Sequence, residues 1–321
     1  MIDIGQPIEQ SWNRTELHLF RPFHASTWFA LGFTAWLASF LNGGAGGGSF
    51  QVPSNISINP ILDEAGKKIR EGISSPWNAL CTQALGWGLP AWLGILAGLF
   101  LLAALLYLLF TWLGCRGRFM FLDNVLHNRA EVVRPWHEFR PQGNSLFQLH
   151  AGIGIAALSV FFLLLAGALV SCWPDIVARK MRSFYTYIPW ILVFVGFFLG
   201  WLPVAIGLFF LKDFGVPLMY RRRCSAWEAC LLLSRLGRER CADFLLYLVV
   251  RIVLAIVLVF TAFIASCLTC CLGFIPYLGT VITLPLWVFR QSFVLDCLAQ
   301  ISPEDQLWPP AAPPPVPPSV S

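Results

Sequence analysis

The sequence predicts an all-α fold: a polytopic transmembrane helix bundle of about six spans, flanked by short interfacial amphipathic helices. Three observations predict it. The chain is 57% hydrophobic and only 12% charged, with a mean hydropathy of +0.68, whereas soluble domains carry about one quarter charged residues. Three runs, Ala91 to Gly114, Ala151 to Trp173 and Ile188 to Leu211, hold no Asp, Glu, Lys or Arg, and each approaches or exceeds the roughly 20 residues that cross about 30 Å of hydrocarbon. Basic residues are also distributed unevenly: the N-terminal segment, the 115–147 loop and the 212–243 loop carry 2, 5 and 7 Lys or Arg, against 3 in each of the 42–86 and 174–187 segments. Because basic residues are retained on the cytoplasmic side, this bias places both termini in the cytoplasm.

Taken in order, residues 1–25 form a cytoplasmic interfacial segment. Its stretch PIEQSWNRTELHLF can turn Ile8, Trp12 and Leu19 toward the headgroups. The first span, about 26–41, is short but rich in Trp and Phe, which suit membrane interfaces. Twenty-five mixed residues precede it and no small-residue cleavage site follows a basic start, so it is expected to stay as an anchor rather than be removed as a signal peptide. An outer segment, 42–86, opens with GGAGGGS. A phosphate loop requires a following Lys and then Ser or Thr, but this run continues into FQVPSN and is expected to be a turn. PILDEAGKKIREG, with acids early and bases late, suits a short helix.

After the span 91–114 comes a first cytoplasmic elbow, 115–147, expected to be a water-facing bend whose arginines set orientation. Asp123, His127 and Glu131 fall at i, i+4 and i+8, three metal-ligand types on one helical stripe. Asn124 and Asn128 extend the stripe without being good ligands, so the solvated face of an interfacial helix is the expected reading and no metal is assigned. The spans 151–173 and 188–211 follow. In the second elbow, 212–243, SAWEACLLLSRLG opens with a capping box, Ser225 and Glu228, and Gly237 is the expected stop. Trp227, Leu231 and Leu236 can share one lipid-facing side.

Residues 252–289 are 38 without a formal charge, about 57 Å as one helix. One bilayer cannot hold that length, so a break is expected in CCLGFIPYLG, leaving spans of about 244–271 and 274–295. The transmembrane bundle therefore covers 26–299, and residues 300–321 form a Pro-rich disordered tail.

Arg251 is the candidate intramembrane functional residue. It lies about 10 Å inside its span by helix rise, where a guanidinium is either paired and functional or snorkels to the headgroups. Asp213, Asp243 and Asp296 are its candidate partners. Pro203 and Pro285 lie within spans and either break or kink them. Arg221, Arg222 and Arg223 are candidate lipid-headgroup contacts. Gly94 with Gly98, and Gly196 with Gly200, read as helix-packing pairs. Among ten cysteines, Cys267, Cys270 and Cys271 cluster without a second C-x-x-C, which favours packing over zinc, while Cys81, Cys172 and this cluster share the outer side, where a disulfide is permitted. No Ser-His-Asp order, H-E-x-x-H or nucleotide fingerprint occurs. No catalytic residue and no cofactor are assigned, and the chain is expected not to be an enzyme. The expected partners are membrane lipids and proteins within the membrane. Nucleic acid is excluded because the arginines have no soluble, aromatic-interleaved domain behind them.

Several stretches together carry a resemblance: WNRTELHLFRPF, the glycine run, RGRFMFLD with RPW, VPLMY with WEAC, and CCLGFIPYLGTVITLPLWVFR with ISPED. The chain resembles an uncharacterised family, a domain of unknown function, of prokaryotic polytopic membrane proteins akin to the membrane domains of some glycerophosphodiester phosphodiesterases. The resemblance implies a prokaryotic cytoplasmic membrane and a six-helix bundle. It brings no catalytic residues, and no stretch of the chain corresponds to the phosphodiesterase domain itself.

Overall fold

The structure, a computed structural model, describes residues 5–20, 24–42, 88–178, 188–269 and 276–308. The glycine run with nearly all of the 42–86 segment, Cys81, residues 270–275 of the expected break in CCLGFIPYLG with Cys270 and Cys271, and the Pro-rich end of the tail lie outside the described residues. Every regular element described is helical: α1 (Gly5–Leu19), α2 (Ala25–Ser39), α3 (Gly88–His127), α4 (Val133–Glu138), α5 (Arg140–Ala178), α6 (Ile188–Phe210), a π-helical turn (Leu211–Gly215), α7 (Val216–Arg222), α8 (Ala226–Glu239), α9 (Cys241–Leu268), α10 (Pro276–Ile282) and α11 (Leu284–Ile301). Single 3₁₀ turns follow α2 and α11.

Among the described residues, four helices are long and apolar enough to cross a membrane: Leu89–His127, Arg140–Trp173, Ile188–Arg222 and Cys241–Ala265. Their most apolar windows are almost entirely uncovered by the rest of the chain, as lipid-facing helices require. The 15 residues of α2 reach only about 22 Å. The segment expected as the last span is divided at Thr283 into α10 and α11, with Pro285 in the first turn of α11, where its missing N–H is harmless. Pro203, by contrast, sits inside α6, which runs through it.

The chain forms two compact units. One comprises Phe50–Leu109 and Ala151–Ala205. Here Phe161 meets Phe162, Phe194 and Phe197, and Phe162 meets Phe100. Leu101, Leu105, Leu163 and Leu199 are exposed. The other unit comprises Met1–Ser49, Phe110–His150 and Ile206–Ser321. Its interior holds Phe119, Leu122, Leu211, Met219 and Leu284, and beside them a cluster of Phe214, Phe244, Tyr247, Phe293 and Leu298.

Three expectations are corrected here. The stretch 115–125 is no water-facing bend: it continues α3 and is buried throughout, Asp123 and Asn124 included. Helix α3 has 40 residues, about 60 Å, so only part of it is needed to cross a membrane and the remainder enters the packed unit. The helix-packing glycines are also not those expected. A Cβ on Gly94, Gly98, Gly196 or Gly200 would meet nothing, whereas one on Gly117 would strike the Leu37–Ala38 backbone and one on Gly114 the Leu41 backbone. This pair, one helical turn apart, lets α2 lie directly on α3. Finally, α8 is capped by Ser225 and Glu228 as expected but runs past Gly237 to Glu239.

Gly117→Leu should therefore push α2 away and destabilise the protein by at least the 1–3 kcal/mol typical of overpacking. Gly98→Leu should leave stability within about 0.5 kcal/mol of wild type. Thermal unfolding in detergent distinguishes the two.

Candidate functional site

Asp213 lies on the π-helical turn between α6 and α7. A π turn carries one more residue than an α turn and rotates the side chains that follow it, a distortion frequent at functional positions. Here it leaves Leu211, Asp213, Phe214 and Gly215 all buried. The Asp213 side chain is 2% exposed, and three arginines surround it. From α9, Arg251 donates through Nε to Oδ2 at 3.3 Å, and Tyr247, one turn earlier, donates its hydroxyl to the same oxygen at 3.0 Å. From α11, Arg290 donates through Nη2 to Oδ1 at 3.3 Å. From the inner end of α3, Arg118 Nη1 stands 3.8 Å from Oδ1 and donates to the Lys212 carbonyl at 2.8 Å. The Lys212 ammonium donates to the carbonyl of Leu41 at 2.7 Å, just past α2.

Of its three candidate partners, then, Arg251 takes Asp213. It is buried rather than snorkelling to a surface, with its guanidinium 6.0 Å from the centre of the Phe209 ring. The cluster places three arginines and Lys212 beside one carboxylate. Arg118, Lys212 and Arg290 were not singled out from the sequence; the only available signal is that each interrupts or borders an apolar run.

The remaining polar residues form clamps between distant segments. Helix α1 buries Pro7, Ser11, Thr15 and Leu19 rather than an apolar stripe. Ser11 donates to Asp296 on α11 at 3.1 Å, Arg14 pairs with the same carboxylate, and the Arg14 guanidinium lies 4.4 Å from the Trp308 ring. Leu19 thus points inward, while Ile8 and Trp12 are exposed. Arg222 grips Asp305 with two bonds of 2.6 and 2.8 Å, and Ser302 donates to that carboxylate at 2.7 Å. Arg223, in a left-handed conformation (φ 51°), pairs with Glu138 at 2.6 Å and covers the Phe139 ring at 4.3 Å. Of the three candidate headgroup arginines, two are engaged within the chain, and Arg221 is exposed at the end of α7. Burial alone would raise the Asp305 carboxyl, but the Arg222 fork and the Ser302 hydroxyl hold it below its ordinary value. The hydrogen bond from Arg223 likewise holds Glu138 low.

The Asp123 stripe does not form. Asn128, at φ 49°, ends α3 right after His127, so Glu131 leaves the helix, and its backbone exchanges two hydrogen bonds with the Asn124 amide. Asp123 accepts from Tyr220 at 2.6 Å and lies 3.2 Å from His127. Among the described residues no three His, Cys, Asp or Glu side chains converge. Cys172 and Cys267 are free thiols.

These features define a protein that is all-helical among the described residues, with four helices there able to cross a membrane and a buried ionic cluster in its packed unit. The chain belongs to a family of unknown function (DUF7544), which it matches over residues 4–301. No curated protein and no solved structure matches it.

Asp213→Asn should destabilise the protein by roughly 3–5 kcal/mol, because it leaves buried cations without their carboxylate. Asp305→Asn should cost about 1 kcal/mol at neutral pH, discounted because Arg222 is partly exposed. As the Asp305 carboxyl is depressed, its contribution is complete above the ordinary carboxylate range and is lost as pH falls through the lowered value. The difference in unfolding temperature between wild type and Asp305→Asn should therefore shrink on acidification.

Proposed function

We propose that the protein is a non-enzymatic, multi-pass component of the cytoplasmic membrane that organises lipid or supports the assembly of protein partners. It would cross six times with both termini in the cytoplasm. The observation that carries this reading is the use of the polar residues: Arg14, Arg222 and Arg223 each fasten a distant segment through a carboxylate, on Asp296, Asp305 and Glu138. This is how a rigid scaffold uses charge. To the four long helices the six-crossing reading adds α2 and the α10–α11 pair, which follow one another with a single interruption at Thr283. Trp12 on α1 and Trp227 on α8 are 61% and 64% exposed, positions suited to the headgroup layer. Arg221 on α7 would meet lipid phosphates there, and Arg222 and Arg223 would do so with the donors left over from their clamps.

One observation favours a second reading, a transporter or lipid-translocating protein. Arg251 sits in a buried cluster of surplus positive charge, next to a π turn, and such groups in transport proteins mark the path of a charged substrate.

Reconstitution separates the two. For a scaffold, vesicles containing wild type or Arg251→Ala should show the same background solute and lipid flux. A flux above background that Arg251→Ala removes while the protein still folds would replace the scaffold with a transporter. Reporter fusions test the topology: both termini should report the cytoplasm and the 174–187 segment the opposite side.

A further inference from the structure

The ionic cluster is unbalanced. Arg251 and Arg290, both bonded to Asp213, exceed it by one positive charge, and the adjacent Lys212, which donates to the Leu41 carbonyl, brings the surplus to two. Among the described residues, Arg251 and Arg290 pair with no carboxylate other than Asp213. A guanidinium carries five N–H donors in a planar fork. Arg251 directs only Nε at Asp213, and Arg290 directs only Nη2, so each keeps donors beyond those that hold the carboxylate. Uncompensated charge in a buried setting is costly, and the usual relief is a counter-charge with directed hydrogen bonds. The Arg290 side chain is 21% exposed while those of Arg251 and Arg118 are 7% and 8%, so the cluster opens at Arg290.

We infer that this cluster is a binding site for a phosphate group. Arg251 and Arg290 would grip it, and Arg118 and Lys212 would set the field. A phosphate matches the surplus in charge, offers oxygens for the unused forks, and is the anion that guanidinium groups bind bidentately. Asp213 acts as a positioning residue: it gathers arginines from α3, α9 and α11 to one point, leaving the outer donors at Arg290 for the ligand. The phosphate is either free or the headgroup of an anionic lipid; the lipid form rests on the membrane reading proposed above, and the free form does not.

The test uses the full chain in a neutral detergent, with thermal unfolding followed during two titrations. One adds inorganic phosphate against chloride of equal ionic strength. The other adds phosphatidylglycerol against zwitterionic phosphatidylcholine. Wild type should be stabilised saturably in at least one titration; a response to phosphate identifies the free anion, and a response to phosphatidylglycerol alone identifies the lipid. Arg290→Gln should shift the midpoint roughly tenfold or more, as expected for loss of a charge-assisted hydrogen bond. Arg290→Lys should fall between the two, and Arg235→Gln, exposed on α8 and outside the cluster, should titrate as wild type. Arg251→Gln should behave like Arg290→Gln. Should that buried substitution prevent folding, the more exposed Arg290 pair decides the matter. Absence of stabilisation in both titrations, or an Arg290→Gln midpoint equal to wild type, would overturn the site without touching the scaffold reading, which the flux and topology measurements judge.

Discussion

The packed unit depends on one buried carboxylate. Asp213 is held by groups on α9 and α11 and approached by another on the inner end of α3, while the adjacent Lys212 reaches the chain just past α2. Four segments far apart in sequence thus converge on two neighbouring residues. Hydrophobic contact is non-directional, so apolar packing alone sets the register of these segments less strictly. Directed hydrogen bonds to a single carboxylate permit one arrangement. The same surplus of cations that makes Asp213 indispensable makes the site receptive to an anion, so stability and the inferred binding site share an origin.

The π turn is the local device that makes this possible. Continuing α6 as regular helix would have placed Lys212 and Asp213 on other bearings. The extra residue turns them inward, and Tyr247, with its ring 4.4 Å from that of Phe214, completes the coordination of Asp213 from α9. The clamps at Asp296, Asp305 and Glu138 do comparable work nearer the surface: each ties a short helix or turn to the bundle through an arginine. The π turn, the central cluster and these clamps all lie in the unit that includes both ends of the chain.

Much of this was legible in the sequence, and the part that was not has a physical reason. Uncharged runs of about 20 residues or more reveal helices long enough to cross because a bilayer imposes a length, so α5, α6 and the part of α3 before Cys115 are visible directly. The capping box at Ser225 is a local contact four residues long and is equally legible. Arg251 is conspicuous because it interrupts an apolar run, and Asp213 stood among its three possible partners. Hydropathy, however, cannot tell a charge facing water from a charge facing a buried carboxylate. Arg116, Arg118 and Asp123 therefore read as a wet loop although they are buried. Arg290 and Asp213 are 77 residues apart, and no periodicity connects them. The glycines misled for a related reason: spacing marks small residues, but only the neighbour decides whether they are packed, as Gly114 and Gly117 are and Gly94 and Gly98 are not.

The claim that Asp213 organises the unit through its arginines is tested most directly by a double-mutant cycle. Unfolding free energies of Asp213→Asn, Arg251→Gln and the double variant would be measured in one detergent. The account predicts strong coupling: once the carboxylate is gone, removing Arg251 relieves repulsion, so the double variant is markedly more stable than the two separate losses combined would make it. Additive losses would contradict it, because they would mean that the two residues stabilise the protein independently.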